Sequence, residues 1–202
     1  MKRIIGLLIL IAVLSGIFYW IYVTEEKKQE SKQISSSNAL NEAKIVELLE
    51  DKNAKERERI LQTASKSPDQ VIALNALILK ITYGKELNKE QMDDLISIQR
   101  YQFAEELLSK NEESDQQLKV WLESEKQKEK KIKIVDYKAL APYPMDKVKY
   151  DGVPRNTVKV SVVYYTNVAG NNLYIDYLLY EDDNRQWKIV GWARGEEFLV
   201  TE

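Results

Sequence analysis

The sequence predicts an α+β fold, with an N-terminal transmembrane helix and then helices packed on one face of a curled, cone-like antiparallel sheet. Three observations predict it. An uncharged apolar run occupies residues 4–23, helix-capping signals punctuate residues 39–131, and apolar residues recur with a period of two from Ile132 onward. Strands that follow a run of helices usually pair with one another, so an antiparallel sheet is expected at residues 132–202.

The apolar run reads IIGLLILIAVLSGIFYWIYV and contains 20 residues without a charge. An α-helix rises about 1.5 Å per residue, so this length crosses a hydrocarbon core of roughly 30 Å. Lys2 and Arg3 precede the run and two glutamates follow it, and basic residues mark the cytoplasmic side of a span. The sequence therefore predicts a single-pass cell-membrane protein with a cytoplasmic tail at 1–3, a membrane helix at 4–23 and an extracytoplasmic C-terminal domain.

Two alternatives concern the residues around the end of the span. A cleaved signal peptide would end at small residues, whereas bulky Tyr22 and Val23 stand there. Residues 24–38 are almost devoid of apolar side chains, so we predict a flexible linker, although their charged part is also compatible with a longer membrane helix. Residues 39–202 then form one extracytoplasmic domain, helical at 39–131.

Caps mark three helices of the first half. Ser67 precedes Pro68 and is followed three residues later by Gln70, which predicts a helix that ends at Gly84 and is apolar on more than one side. A second capping signal at Asn88 predicts a helix that continues as far as Leu108. A third at Ser114 predicts a helix with Leu118, Trp121 and Leu122 as its apolar residues.

Valine and tyrosine replace leucine in the second half, where alternation sorts residues onto two sheet faces. The predicted strands are 132–138, 147–150, 157–166, 173–181 and 187–194. The core face is predicted to carry Val158, Val160, Val162, Leu173, Ile175, Tyr177, Leu179, Trp187 and Ile189. The candidate binding face comprises Tyr165, Tyr174, Asp176, Tyr180, Trp192 and Arg194. Tyrosine, tryptophan and arginine dominate binding hot spots, whereas a solvated face with cross-strand pairs is the structural alternative.

Asp176 is the one acid flanked by aromatic residues within a strand. A register that pairs Tyr180 with Lys188 places Asp176 opposite Trp192 and diagonal to Arg194. A general base in an aromatic environment and a structural carboxylate paired with Arg194 are both compatible with this position. The sequence offers no second catalytic group for the first role.

Composition excludes several classes of function. The chain contains neither histidine nor cysteine, which removes disulfides, thiol nucleophiles, histidine or cysteine metal sites and the serine-histidine-aspartate triad. With 30 basic and 32 acidic residues and no basic stripe, it is not expected to bind nucleic acid. The seven glycines form no phosphate-binding loop, so no cofactor, no metal and no enzymatic activity are predicted.

The closing run Asp183-Asn184-Arg185-Gln186-Trp187-Lys188-Ile189-Val190-Gly191-Trp192 follows two tyrosine-rich strands. It resembles the last hairpin of nuclear-transport-factor-two-like domains, the cystatin-like α+β cone. With the N-terminal span, the chain is similar to an uncharacterised family of Gram-positive membrane-anchored proteins. This resemblance implies a cone fold but no particular activity.

Three functional hypotheses follow. The first is a membrane-anchored extracytoplasmic binding or scaffolding module with a protein partner or a homo-oligomeric state. The second, by resemblance to other single-span cone-fold proteins, is an envelope scaffold of a secretion or conjugation machine. The third is a small-molecule-binding or lyase-like cone domain with Asp176 in its cavity. A deep pocket would favour the third, and a flat aromatic sheet would favour the first two.

Overall fold

The computed structural model describes Ile45, residues 54–150 and residues 152–198. The predicted span at 4–23 and the predicted linker at 24–38 lie outside these residues. None of the helices in the described part has the length and apolar character needed to cross a membrane.

The described chain is α+β, with its helices before its strands. The helices are α1 (Ala54–Ala64), α2 (Pro68–Gly84), α3 (Lys89–Arg100), α4 (Glu105–Leu108) and α5 (Glu113–Glu129). The strands are β1 (Ile134–Ala139), β2 (Tyr143–Tyr150), β3 (Val153–Thr166), β4 (Leu173–Glu181) and β5 (Trp187–Arg194). The predicted α+β class and the change to sheet after the helical half are confirmed.

The strands form one open antiparallel sheet in the order β1-β3-β4-β5. The long strand β3 pairs with β2 along its first half and with β1 along its second half. β2 begins at Tyr143, four residues before the predicted strand at 147–150, and it includes Pro144. Pro144 is tolerated because β2 lies at an edge of the sheet, where a missing backbone donor costs little.

The main core lies between α2 and the sheet. Val71 and Ile72 of α2 pack with Val160, Val162 and the other predicted core-face residues, all of which are buried or packed against this cluster. A second cluster on the other side of α2 contains buried residues of α1 and α3 together with Ile45. Two flanking layers explain why α2 is apolar on more than one side, as its sequence predicts.

The helix that begins after Asn88 ends at Arg100, not near Leu108 as the periodicity suggests. The next residues pair with the exposed edge of β5. The Ile189 amide donates to the Gln102 carbonyl at 2.7 Å, and the Ala104 amide donates to the Ile189 carbonyl at 2.8 Å. This short parallel bridge at Phe103 uses backbone groups that a continuing helix would need and covers part of an otherwise open sheet edge.

The predicted register between β4 and β5 is correct at one end and wrong at the other. Tyr180 pairs with Lys188 as predicted, but Leu179 pairs with Ile189 while Leu178 pairs with Gly191. Val190 is therefore an extra residue in β5, a β-bulge, and every later residue of the strand is shifted by one. A shift of one residue moves side chains to the opposite face of the sheet.

The cap of α5 also differs from its prediction. The helix begins at Glu113 with Glu112 as its N-cap, and no side chain caps it. Ser114 therefore lies inside the helix. By contrast, Asn88 forms the full predicted capping box. Its side-chain oxygen accepts from the backbone N–H of Gln91, and the side-chain oxygen of Gln91 accepts from the backbone N–H of Asn88.

These two caps give a matched pair of substitutions. We expect Asn88→Ala to lower the free energy of unfolding by about 1 kcal/mol, since it removes the cap of α3. We expect Ser114→Ala to change it by less than about 0.5 kcal/mol, because this serine caps nothing. Urea unfolding of the full chain, followed by circular dichroism, measures both values. Equal losses in the two variants would contradict the cap assignment.

Candidate functional site: a cavity between the helices and the sheet

A cavity of about 70 Å³ lies between α2, α3 and α5 on one side and β1, β4 and β5 on the other. A single water needs roughly 10–15 Å³ on the same scale, so the space holds several waters or a small organic molecule. Its apolar lining consists of Leu79, Val120, Ile134, Leu173, Ile175 and Trp192. Its polar lining consists of Asn75, Tyr83, Gln99, Gln116, Glu123 and Tyr177.

Helix α5 forms its wall of the cavity with polar residues. The buried residues of α5 are Gln116, Val120, Glu123, Ser124 and Gln127. Its leucines, Leu118 and Leu122, point away from the core and are 58% and 59% exposed. A surface helix normally buries its apolar stripe, whereas α5 packs Val120 and Trp121 against Met92 and Ile96 but leaves both leucines in solvent. Of the three apolar residues that the sequence assigns to this helix, Leu118 and Leu122 therefore stand in solvent, and Trp121 is partly buried.

A chain of hydrogen bonds connects α5, α3 and α2 along the cavity wall. Arg100 donates from Nη1 to Gln116 Oε1 at 2.9 Å, and Gln116 donates from Nε2 to Gln99 Oε1 at 3.3 Å. Gln99 in turn donates from Nε2 to Asn75 Oδ1 at 2.8 Å. Arginine can only donate, so it fixes the orientation of Gln116 and, through it, of the next two amides. The chain therefore ends in a donor, the Nδ2 group of Asn75.

The Asn75 amide group is buried at the end of this chain, beside the Tyr164 and Tyr177 hydroxyls. Asn75 is 1% exposed, and its Nδ2 makes no hydrogen bond of normal geometry within the described chain. It lies near the Tyr164 and Tyr177 hydroxyls, close enough to oppose the rise in the pKa of each. A buried donor without a partner costs about 1–3 kcal/mol, and the two phenol oxygens are acceptors within the protein for Asn75 Nδ2.

Three tyrosines stand on the polar side of the cavity or directly behind it. The Tyr164 and Tyr177 hydroxyls are 2.8 Å apart and share a hydrogen bond. Burial raises the pKa of both phenols. Burial also raises the pKa of Tyr83, and the charge of Glu123 raises it further. All three phenols stay neutral at physiological pH and present hydroxyl groups.

Glu123 is the charged residue of the lining. It is 6% exposed, and its Oε1 accepts a hydrogen bond from Gln127 one turn later in α5. Its Oε2 lies 3.7 Å from Lys126 Nζ, whose side chain is 46% exposed. This lysine is a partial counter-ion at most, because a long contact to a solvated ammonium contributes little. Burial of a carboxylate is costly, which makes Glu123 the clearest electrostatic feature of the cavity.

The six residues of the candidate binding face do not share one face. Trp192 pairs with Tyr177 and Arg194 pairs with Ile175, so both lie on the helix-facing side because of the Val190 bulge. Trp192 lines the cavity, with its ring 5.6 Å from Phe103 and 6.4 Å from Tyr177. The placement of these six residues on one surface was therefore wrong.

The other four, Tyr165, Tyr174, Asp176 and Tyr180, remain on the outer face. Part of this surface is covered by residues 195–198, since the Tyr174 ring packs edge-on against Phe198 with centroids 5.5 Å apart. The Tyr174 hydroxyl also donates to Glu197 at 3.3 Å. Tyr180 is buried and donates to Glu106 of α4 at 3.1 Å. The surface is not a continuous exposed aromatic patch.

Asp176 lies on the outer face and does not line the cavity. It is paired opposite Ala193, not opposite Trp192, again because of the bulge. The carboxylate is 6% exposed, accepts from Ser161 Oγ at 2.5 Å and lies 3.5 Å from Lys159 Nζ. The backbone of Gly195 passes so close that a Cβ there would stand 2.9 Å from Asp176 Oδ1. These contacts describe a structural carboxylate.

Reasoning from the sequence missed the polar lining of the cavity. One local signal was present, since Asn75 is the single polar residue in the apolar stretch 71–79. Gln99, Gln116 and Glu123 give no such signal, because polar residues are ordinary on charged helices. Within the described chain, no group of three or more acidic residues is arranged to hold a metal ion.

The family described as Domain of unknown function (DUF6715) matches residues 1–192. The chain belongs to this family. No curated protein and no solved structure matches the chain.

The buried tyrosines predict how stability depends on pH. Their folded pKa values lie above the ordinary value of 10.0, so above about pH 10 the unfolded chain releases protons that the folded chain retains. We therefore expect the free energy of unfolding to fall as the pH rises from about 9.5 to 11. Burial lowers the pKa of Lys188, so this group makes the free energy of unfolding rise with pH and opposes the trend. It is one group against three tyrosines.

Urea unfolding at a series of pH values measures this dependence, and phenolate absorbance reports ionisation. The expected result is that cavity phenolates form only together with unfolding. Tyr83→Phe should make the alkaline loss shallower, because one of the responsible groups is gone. A free energy of unfolding that stays constant up to pH 11 would refute the burial of these phenols.

Proposed function

We propose that this protein is a membrane-anchored, extracytoplasmic binding protein whose ligand site is the cavity between the helices and the sheet. The site has the usual features of a small-molecule pocket, namely a concave space in which apolar side chains and polar groups converge. The arrangement of helices over an open antiparallel sheet supports the further proposal that the domain is of the nuclear-transport-factor-two-like, cone-shaped kind.

The orientation of α5, which directs its polar residues inward and both of its leucines outward, is the observation that carries this proposal. This helix buries Gln116, Glu123 and Gln127 and exposes Leu118 and Leu122. Packing alone favours the reverse, since burial of a leucine side chain stabilises by about 1.5–3 kcal/mol. Departures from such local rules concentrate at functional sites. A cavity that needs polar groups accounts for the orientation.

The tether is proposed from the apolar run at 4–23. The family match extends over residues 1–192 and so includes this run together with the described domain. Lys2 and Arg3 before the run support a cytoplasmic N-terminus and an extracytoplasmic domain. A ligand site outside the cytoplasm would then be held close to the membrane surface.

The other two hypotheses receive less support. An envelope scaffold would use an open docking surface, but the aromatic face proposed for it is divided between the two sides of the sheet and partly covered. A lyase-like role for Asp176 would need that carboxylate in the cavity, and it lies on the other side of the sheet. Both remain predictions without a described feature that favours them.

Ligand entry into the cavity is testable with a neutral probe. We expect cyclohexanol to shift the methyl resonances of Leu79, Ile134 and Ile175 in NMR spectra of the full-length protein in lipid nanodiscs, with empty nanodiscs as the blank. Leu173→Trp should abolish these shifts, because it fills the cavity. Leu122→Trp is the matched control on the solvent side of α5 and should leave them unchanged. Equal methyl shifts in both variants would show that cyclohexanol binds outside the cavity.

Topology is tested by adding protease to intact protoplasts. We expect the chain beyond Glu25 to be digested while the N-terminal residues stay protected, because the positive residues hold the N-terminus inside. Protection of the domain would reverse the proposed orientation. Release of a shortened, soluble protein into the medium would instead indicate a cleaved signal peptide.

A further inference from the structure

The negative charge of Glu123 restricts the kinds of ligand that the cavity can bind. Among the described residues that line it, Glu123 is the one charged side chain, and it is an anion. A bound carboxylate or phosphate would face this charge with no lining arginine or lysine to offset it. Like charges in a poorly solvated space repel strongly, so the cavity disfavours anionic ligands.

Aromatic rings in the lining favour a cation beside Glu123. Tyr83, Tyr177 and Trp192 all line the cavity, and a cation over such a ring is attracted by its quadrupole. The field of Glu123 reaches the Tyr83 phenol, since it contributes to the raised pKa of that group. Glu123 and all three rings line the same cavity.

A second polar point is provided by Asn75. Its Nδ2 group is a donor at the end of the chain that Arg100 orients, beside the Tyr164 and Tyr177 hydroxyls. Apart from Gln99 and Gln116, the remaining lining is aliphatic and includes Leu79, Ile134 and Ile175. A matching ligand is small and mainly apolar, with a cationic group.

We propose that the cavity binds a small, mainly apolar amine in its protonated form, with the ammonium group at Glu123 and the apolar body against the aliphatic wall. This inference rests on the proposed function, because it specifies the ligand of the same cavity. Glu123 is suited to the role because the solvated Lys126 at 3.7 Å leaves much of its charge uncompensated.

Three probes of similar shape test the charge preference: cyclohexylamine, cyclohexanol and cyclohexanecarboxylate, titrated at pH 7 into the full-length protein in nanodiscs. Methyl resonances of Ile134 and Ile175 report binding. We expect the amine to bind at least about tenfold more tightly than the alcohol, which corresponds to a modest charge-assisted contact, and the carboxylate to bind most weakly.

Glu123→Gln should reduce the affinity for the amine to that for the alcohol while leaving the alcohol unaffected. The unchanged alcohol also shows that the variant retains its cavity. Glu125→Gln removes an exposed carboxylate from the same helix, which pairs with Lys128 at the surface, and should preserve the amine preference. If both variants lose the preference for the amine over the alcohol equally, the preference comes from the overall charge of the protein, and the specific role of Glu123 is refuted.

The outcomes separate the two proposals. Equal binding of amine and alcohol to the unaltered protein, or tightest binding of the carboxylate, overturns the ligand class but retains the cavity as a binding site. Absence of methyl shifts with all three probes overturns the cavity function and the ligand class together. Because the ranking in the unaltered protein decides the charge preference, the result stands even if Glu123→Gln fails to fold.

Discussion

The extra residue at Val190 is the constraint on which the site depends. Ile189 is held on one side by its pairing with Leu179 and on the other by backbone hydrogen bonds to Gln102 and Ala104. The strand accommodates both by bulging immediately afterwards, which is common at sheet edges. The resulting shift turns Trp192 inward, where it packs near Phe103 and completes the aromatic part of the cavity wall.

The second requirement is that the polar side chains of the cavity wall keep their positions although no side chain packs into the cavity. Arg100 supplies the charge that orients Gln116, Gln99 and Asn75 in one direction. Hydrogen bonds in such a chain polarise one another and hold its members in one orientation. The three residues come from α5, α3 and α2, and the chain therefore also fixes these helices relative to one another around the cavity.

The bulge and the polar wall act on opposite sides of the same space. One brings an aromatic side chain from the sheet, and the other brings amides and a buried carboxylate from the helices. Asp176, by contrast, is held on the outer face by Ser161 and Lys159, below the backbone of Gly195. The acid that stood out in the sequence is structural, whereas Glu123, which did not, is the cavity carboxylate.

Local chemistry by itself determined the α+β class, the bounds of α2, the capping box at Asn88 and the core face of β3 and β4. These features depend on caps and on alternation within a few residues, which the sequence displays directly. Tertiary structure decided where α3 ends, which way α5 faces and which face Trp192 occupies. Each of these is set by contacts between residues distant in sequence, such as Phe103 with Ile189, and no local pattern records such contacts.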